Sequence, residues 1–374
     1  MIYLDNAATT WPKPPQVVRA MACAQQKYGA NPGRGGHDLS MKAGEMVYDV
    51  REKTANFFGC TSPERVAFTL NATMALNMAL KGLLRPGDHV ITSCVEHHAV
   101  SRPCAALQQQ GVQWSAAMVW AGDDARTVRE FERLLQPNTR LIVCNHASNV
   151  FGNVLPVAEI ARMAARHGIP TVVDASQSAG HVPIDMERDG IAVLCAAGHK
   201  GLYGPQGTGV LINAADLPMR TLMEGGTGSL SAQMQQPDFW PDRMESGTVN
   251  VPGIVGLGQG IDFVRSLGEQ TITRHTCALR CQLAEELKQI PGVRVFDLPG
   301  ACTGVLSFQV ENMDCEQVAQ QLNEAGIAVR AGLHCAPMAH RWAGTLQQGT
   351  VRVSPGVYST VQDVEALAKV VKAL

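Results

Sequence analysis

The sequence predicts an α/β protein: a large, mostly parallel sheet, with a smaller α+β unit towards the C-terminus. Three observations carry that expectation. Short apolar runs alternate with helical stretches between about Arg65 and Asn213. Turn signals separate them, as at Pro86-Gly87-Asp88, Gly168-Ile169-Pro170 and Gly204-Pro205. From about Val251 the texture changes to long amphipathic stretches and short strands. Strand alternating with helix implies parallel strands covered by helices on both faces.

In chain order, Val66-Leu70 reads as a strand and Thr73 to Leu84 as a helix. His89-Thr92 is a strand, and His97 to Gln110 a helix. Val112 to Val119 and Leu141-Cys144 are strands, Val157 to His167 is helical, and Pro170-Asp174 is a strand. Ile191-Cys195 and Gly209-Ile212 complete the sheet. Beyond it, an amphipathic region reaches Ile290 with a break near Gly268. Val293-Phe296, Val305-Val310, Ile327-Arg330 and Val351-Val353 read as strands. Asp314 is placed to cap a helix reaching Glu324, and Val361 to Ala373 closes the chain as a helix.

Composition excludes several classes. The chain has 374 residues, 45% hydrophobic and 17% charged, which suits a folded globular protein with two cores. The net charge of -2, with no dense basic run, favours neither nucleic acid nor an anionic membrane. Asp5 comes too early for a signal peptide, and no run of about 18 apolar residues exists for a membrane helix. The 11 cysteines, an odd number, suggest reduced thiols and hence a cytoplasmic protein. Cys277 and Cys281 lack a second ligand pair, so no metal site is expected.

The most informative segment is Ala196-Ala197-Gly198-His199-Lys200-Gly201, a lysine after an apolar run and before a glycine-rich turn. Desolvation there lowers an amine's pKa and makes it nucleophilic towards an aldehyde, as pyridoxal phosphate (PLP) enzymes require. Asp174 ends an apolar strand, where a carboxylate can hold a pyridine nitrogen protonated or simply cap a helix. Gln177, three residues on, is either a partner for a ring hydroxyl or a surface polar group. His97 and His98 compete for the role of a stacking ring that also moves protons. Ala72 and Thr73, after Asn71, open a helix whose amides suit a phosphate, although ordinary capping explains them equally. His199 is a further donor. Cys335 stands on a loop near Arg330 and His334, a setting read as electropositive and favourable to a thiolate. Arg352 on a short strand can clamp a carboxylate.

Together these segments resemble the cysteine desulfurase family, within the class V aminotransferase group of PLP enzymes. Tyr3-Leu4-Asp5-Asn6-Ala7-Ala8-Thr9-Thr10 is similar to the family's opening motif, and Asn31-Pro32 with Arg34-Gly35-Gly36-His37 to its substrate-side loop. Glu96-His97-His98-Ala99 resembles the stacking motif, which selects His97. Ser148-Asn149-Val150-Phe151-Gly152 resembles the asparagine motif that serves cofactor and substrate. Asp174-Ala175-Ser176-Gln177 and Gly198-His199-Lys200 resemble the ring-binding and Schiff-base segments. Glu245-Ser246-Gly247-Thr248 resembles a stretch that reaches across a homodimer, so Thr248 is expected at the partner's phosphate. Arg330 to Pro337 resembles the persulfide loop in its short form, a group that includes selenocysteine lyases.

The resemblance implies a type I PLP fold, with a large domain at 15–250 and a small one made of 1–14 and 251–374. It implies conversion of L-cysteine to L-alanine, with Lys200 moving the Cα proton, His97 assisting, and Cys335 keeping the sulfur as a persulfide for an acceptor protein. Arg352, Asn149 and Arg330 would hold the substrate. Sulfur metabolism, including iron–sulfur cluster assembly, is the implied setting. The alternative is a selenocysteine lyase or another PLP-dependent C–S lyase. An aminotransferase has no use for Cys335, and Gly204 to Gly209 has the wrong spacing for a dinucleotide loop. One departure is Ala197, where many relatives carry Ser or Thr against the phosphate.

Overall fold

The computed structural model describes every residue except Arg34, so that part of the predicted substrate-side loop lies outside the described residues. Strand β1 (Ile2–Tyr3) opens the chain. The main sheet has seven strands: β2 (Val66–Thr69), β3 (His89–Ser93), β4 (Gln113–Ala117), β5 (Thr139–Asn145), β6 (Thr171–Asp174), β7 (Val193–Ala197) and β8 (Gly209–Asn213). Their order is β2-β8-β7-β6-β5-β3-β4. Pairs from β7 through β4 are parallel, while β8 runs antiparallel to both β7 and β2. The sheet is therefore mixed, with one reversed strand. Because β2 runs the same way as β7, all strands but β8 end on one edge.

Apolar runs buried on both faces make these strands, as parallel sheets require. On β5, Ile142 and Cys144 join one core with Phe131, Ile160 and Ile254. Leu141 and Val143 point the other way, into a core with Leu76, Leu80 and Val100. The first core also takes Val251, Leu257 and Ile261 of the helix Val251–Leu267.

The C-terminal part builds a second sheet from β9 (Val293–Val295), β10 (Leu306–Val310), β12 (Arg330–Gly332) and β13 (Thr350–Val353), in the order β12-β13-β10-β9. β11 (Ile327–Ala328) instead pairs in parallel with β1. The run expected as one strand, Ile327-Arg330, is thus divided between two sheets at Val329. Leu306, Phe308, Val351 and Val353 face a core shared with the helices Glu269–Lys288, Cys315–Glu324 and Val361–Lys372. The residues between them, Ser307 and Arg352, are polar yet buried. That face meets the main sheet: Ser307 Oγ donates to Val150 O at 2.6 Å, and Arg352 Nη1 to Asn149 O at 3.0 Å.

Helices Pro15–Lys27, Asp38–Phe57 and Asp124–Arg133 were not assigned from sequence. Asp38–Phe57 begins at His37, whose Nδ1 accepts from Ser40 N, and buries Ala43, Val47, Val50 and Thr54 at helical spacing. No helix among the described residues is long and apolar enough to cross a membrane.

Glu245 anchors the irregular stretch between β8 and the helix Val251–Leu267. It accepts from both Arg51 nitrogens at 2.8 and 2.9 Å and from Phe68 N at 2.6 Å. Arg51 is itself buried and also donates to Val66 O. Removing one member of such a pair strands a buried charge, at a cost of about 3–5 kcal/mol. Glu245→Ala should therefore lower Tm sharply, and Arg51→Met in the same chain should recover much of the loss. A Glu245→Ala chain that melts with the wild type would refute this.

Candidate active site

The shared strand edge gathers the predicted residues. β2 leads to Asn71, Ala72 and Thr73, β3 to His97, β5 to Asn149, β6 ends at Asp174, and β7 leads to His199 and Lys200. Ala72, Thr73, His97, Asn149, Asp174, Gln177, His199 and Lys200 all line one cavity. Such a crevice at the carboxyl ends of strands is where open α/β sheets bind ligands.

Lys200 is half-buried and lines the cavity. Burial brings its amine down to about 8, against the opposing pull of the Asp174 carboxylate. Its backbone is held by a segment from the other end of the chain. Thr10 Oγ1 donates to Lys200 O at 3.0 Å, while Lys13 Nζ donates to His199 O at 2.7 Å. Sequence reasoning gave Thr10 and Lys13 no role, although Lys13 is the lone cation in a segment otherwise uncharged from Asn6 to Val18. The turn before Lys200 requires Gly198, since a Cβ there would stand 2.2 Å from Thr208 Oγ1.

Asp174 is buried, which raises its pKa against the bonds from Ser176 and the charge of Lys200. Ser176 N donates to Oδ1 at 2.9 Å, and the Ser176 hydroxyl donates to the same oxygen. Beside it lies Glu96, fully buried, whose Oε1 accepts from Ser93 Oγ at 2.6 Å and Asn145 N at 2.9 Å. Burial pushes Glu96 up to about 8, so at pH 7 it is mostly the neutral acid. Glu96 and Ser176 were quoted within motifs but assigned no role.

His97 is brought down to about 3 by burial and then by Lys200, so its ring is neutral. Nδ1 accepts from Ala99 N at 3.0 Å, which leaves the ring hydrogen on Nε2. Gln177 lines the cavity while its Nε2 donates to Ala7 O at 3.0 Å. Asn149 donates to His334 O at 2.7 Å, and its Oδ1 is buried without a partner.

The donor set fits PLP. Asp174 answers a pyridine nitrogen, Lys200 an aldehyde and His97 a ring face. The first-turn amides of the helix Ala72–Leu83, beyond the one at Met74 that Asn71 caps, answer a phosphate. Ala197 lines this cavity and adds no hydroxyl.

Cys335 is exposed, with Arg330 Nη2 at 3.9 Å from Sγ. His334 and Cys335 both adopt left-handed backbone, φ 48 and 56. That strained pair is held from the cavity and the residue beside it: Asn149, which lines the cavity, donates to His334 O, and His98 N, next to His97, donates to Cys335 O at 2.7 Å. A shallow groove lined by His97, His98, Arg102 and Thr73 ends at Cys335. The electropositive setting expected around the thiol does not include His334. His334 adds no positive charge, because burial, then Arg352, brings it down to about 2, and Nε2 engages Thr350. The cation beside the thiol is Arg330.

Arg352 is buried and already paired, Nη2 donating to Asp5 Oδ1 at 2.7 Å, with only Nε unpartnered. Asp5 was quoted within a motif but not foreseen as its partner. Thr248 is exposed and does not line the cavity.

The depressed Lys200 has a consequence for stability. Its folded pKa of about 8 lies below an unfolded value of roughly 10.4, so the unfolded chain binds more protons between them. Stability of the cofactor-free protein should rise with pH across that window, by at most about 1.4 kcal/mol per unit from this group. Lys200→Met should be more stable than wild type at pH 7, an advantage that shrinks across the window in urea unfolding. Parallel profiles would refute this.

Comparison with known proteins agrees with this geometry. The chain matches the aminotransferase class-V family over residues 2–367. It is 36% identical over 383 residues to a probable cysteine desulfurase of Methanothermobacter thermautotrophicus, covering 100% of this chain and 94% of that one. Its structure superposes on the apo cysteine desulfurase of Thermococcus onnurineus NA1 with a TM-score of 0.90 at 31% identity, covering 100% of this chain and 94% of that chain. The cysteine desulfurase CsdA of Escherichia coli gives 0.88 at 28% identity, covering 99% and 94%. On fold, site and sequence together, the chain belongs to the aminotransferase class-V family of PLP-dependent enzymes.

Proposed function

We propose that the protein is a PLP-dependent cysteine desulfurase that converts L-cysteine to L-alanine and leaves a persulfide on Cys335. The observation that carries this is the tie between thiol and cavity: the Cys335 carbonyl accepts from His98 N, next to His97, while Sγ stands exposed beside Arg330. Bound PLP supplies an electron-withdrawing ring that stabilises negative charge at the substrate's Cα.

The protein's groups do the rest. Lys200, with its amine lowered to about 8, is poised to take and return the Cα proton near neutral pH. Asp174, its carboxyl held by Ser176, faces the ring nitrogen. His97, neutral with its hydrogen on Nε2, offers a flat face and a donor. Arg352 and Arg330 are positive charges near Lys200, which suits a substrate carboxylate, while Asn149 Oδ1 is free to accept from an N–H donor. The Cys335 thiolate attacks the substrate's sulfur. The substrate's C–S bond breaks, its electron pair stays with the carbon, and the sulfur remains on Cys335.

Further parts of this reading rest on the same residues. Thr248, exposed on the Glu245-anchored stretch, serves the phosphate site of a second copy in a homodimer. Residues 15–250 act as the large domain, with 1–14 and 251–374 as the small one. An acceptor protein collects the sulfur, within sulfur metabolism that includes iron–sulfur cluster assembly. The free cysteines suit a cytoplasmic setting.

Cys335→Ala should keep the cofactor's absorbance and lose about a hundredfold or more of alanine formation from L-cysteine. Undiminished turnover would refute the nucleophilic role. Selective retention of turnover on selenocysteine would favour a lyase instead.

A further inference from the structure

The helix Glu269–Lys288 lies against the segment 302–305, and three contacts in succession fix its approach. The Cys277 thiol donates to Cys302 O at 3.2 Å. A Cβ on Gly304 would stand 2.7 Å from Thr276 Cβ, so the two backbones run close together. One turn on, Arg280 Nε donates to Val305 O at 3.2 Å, and Nη2 to Asp297 Oδ1 at 2.8 Å. Cys277 and Cys302 are both half-buried, within reach of a small oxidant. Neither lines the cavity at Lys200, and the desulfurase reading uses neither.

We propose that Cys277 and Cys302 form a dithiol modification site, which a hydroperoxide converts to an intramolecular disulfide. Closely approaching backbones are the geometric requirement for such a bond. The chemistry is also matched. The neighbouring Cys277 thiol, then the Arg280 charge, hold Cys302 below the usual thiol range, while Cys277 is pushed up. Cys277 keeps its hydrogen on the Cys302 carbonyl and is the resolving thiol, which leaves Cys302 as the attacking one, the arrangement expected of a peroxide-reactive pair.

The Cys302 thiolate attacks one peroxide oxygen. The O–O bond breaks, hydroxide or alkoxide leaves and takes a proton from solvent, and Cys302 becomes a sulfenic acid. Cys277 sulfur then attacks the sulfenic sulfur, the S–O bond breaks, and the Cys277 proton departs with that oxygen as water. Two thiols lose two electrons, and one peroxide gains them. The cross-link lands on a wall of the site. Cys302 bridges Asn153, Thr303 N donates to Gly152 O at 2.8 Å, and Thr303 to Val305 line the chamber behind Lys200.

The test uses the holoenzyme with equimolar hydrogen peroxide, alkylation of the remaining thiols, and peptide mapping without reductant. The expected result is a dithiothreitol-reversible Cys277–Cys302 peptide pair, formed roughly tenfold faster than Cys281 is oxidised. Cys335→Ala protein should give the same pair, which separates it from oxidation of the exposed thiol. Cys277→Ser protein should stop at a Cys302 sulfenic acid that dimedone traps, and the wild-type map decides the matter if that variant misfolds. Alkylation of both cysteines with no pair formed, or Cys302 joined to Cys281, would overturn the proposal.

Discussion

The desolvated pair Asp174 and Lys200 is the constraint on which the rest depends. Burial raises the acid and lowers the amine, and each charge partly restores the other. A pair held this way contributes little stability, because desolvation offsets much of the attraction. The surrounding fold therefore has to hold it. β6 and β7 do so in register, Asp174 opposite Cys195, within a sheet packed on both faces. Thr10 and Lys13 then fix the carbonyls of Lys200 and His199 from outside the sheet.

The second sheet supplies positive charge near the site, Arg330 from β12 and Arg352 from β13. Its strand alternation puts Leu306, Phe308, Val351 and Val353 in one core and turns Ser307 and Arg352 towards the Asn149 turn. Arg352 depresses His97, His334 and Lys200 at once, in each case after burial. Burial is the main cause in all three, and this cation adds to it. Asp5, brought in by the pairing of β1 with β11, keeps that cation tolerable in the interior. Glu96 makes the complementary adjustment: as a mostly neutral acid it gives Asp174 little competing charge.

How much of this was legible depends on how far along the chain the cause lies. β5, β6 and β7 were readable because runs such as Leu141-Cys144 are apolar on both faces. Lys200, Asp174 and His97 were readable because they stand at strand ends or just beyond them, where the local pattern marks the edge. The helix Asp38–Phe57 escaped because its buried stripe includes Ala43 and Thr54, which carry little apolar contrast. The division at Val329 escaped because it depends on partners at Tyr3 and Arg352. Thr10 meets Lys200 across 190 positions and Asp5 meets Arg352 across 347, so no spacing rule joins them. His334 was misread as a cation because its neutrality comes from burial.

The Cys335 loop shows how such long-range ties shape chemistry. Five positions separate Arg330 from Cys335, too few for a wide excursion. The last two of the loop, His334 and Cys335, are left-handed, a conformation costing of order 1–3 kcal/mol for each residue without glycine's freedom. The hydrogen bonds from His98 and Asn149 over-determine it, and both donors belong to the catalytic edge. A thiol placed this way does not sweep between a substrate and a distant surface. It stands in the groove that His97 and His98 also line, and His97 lines the Lys200 cavity as well.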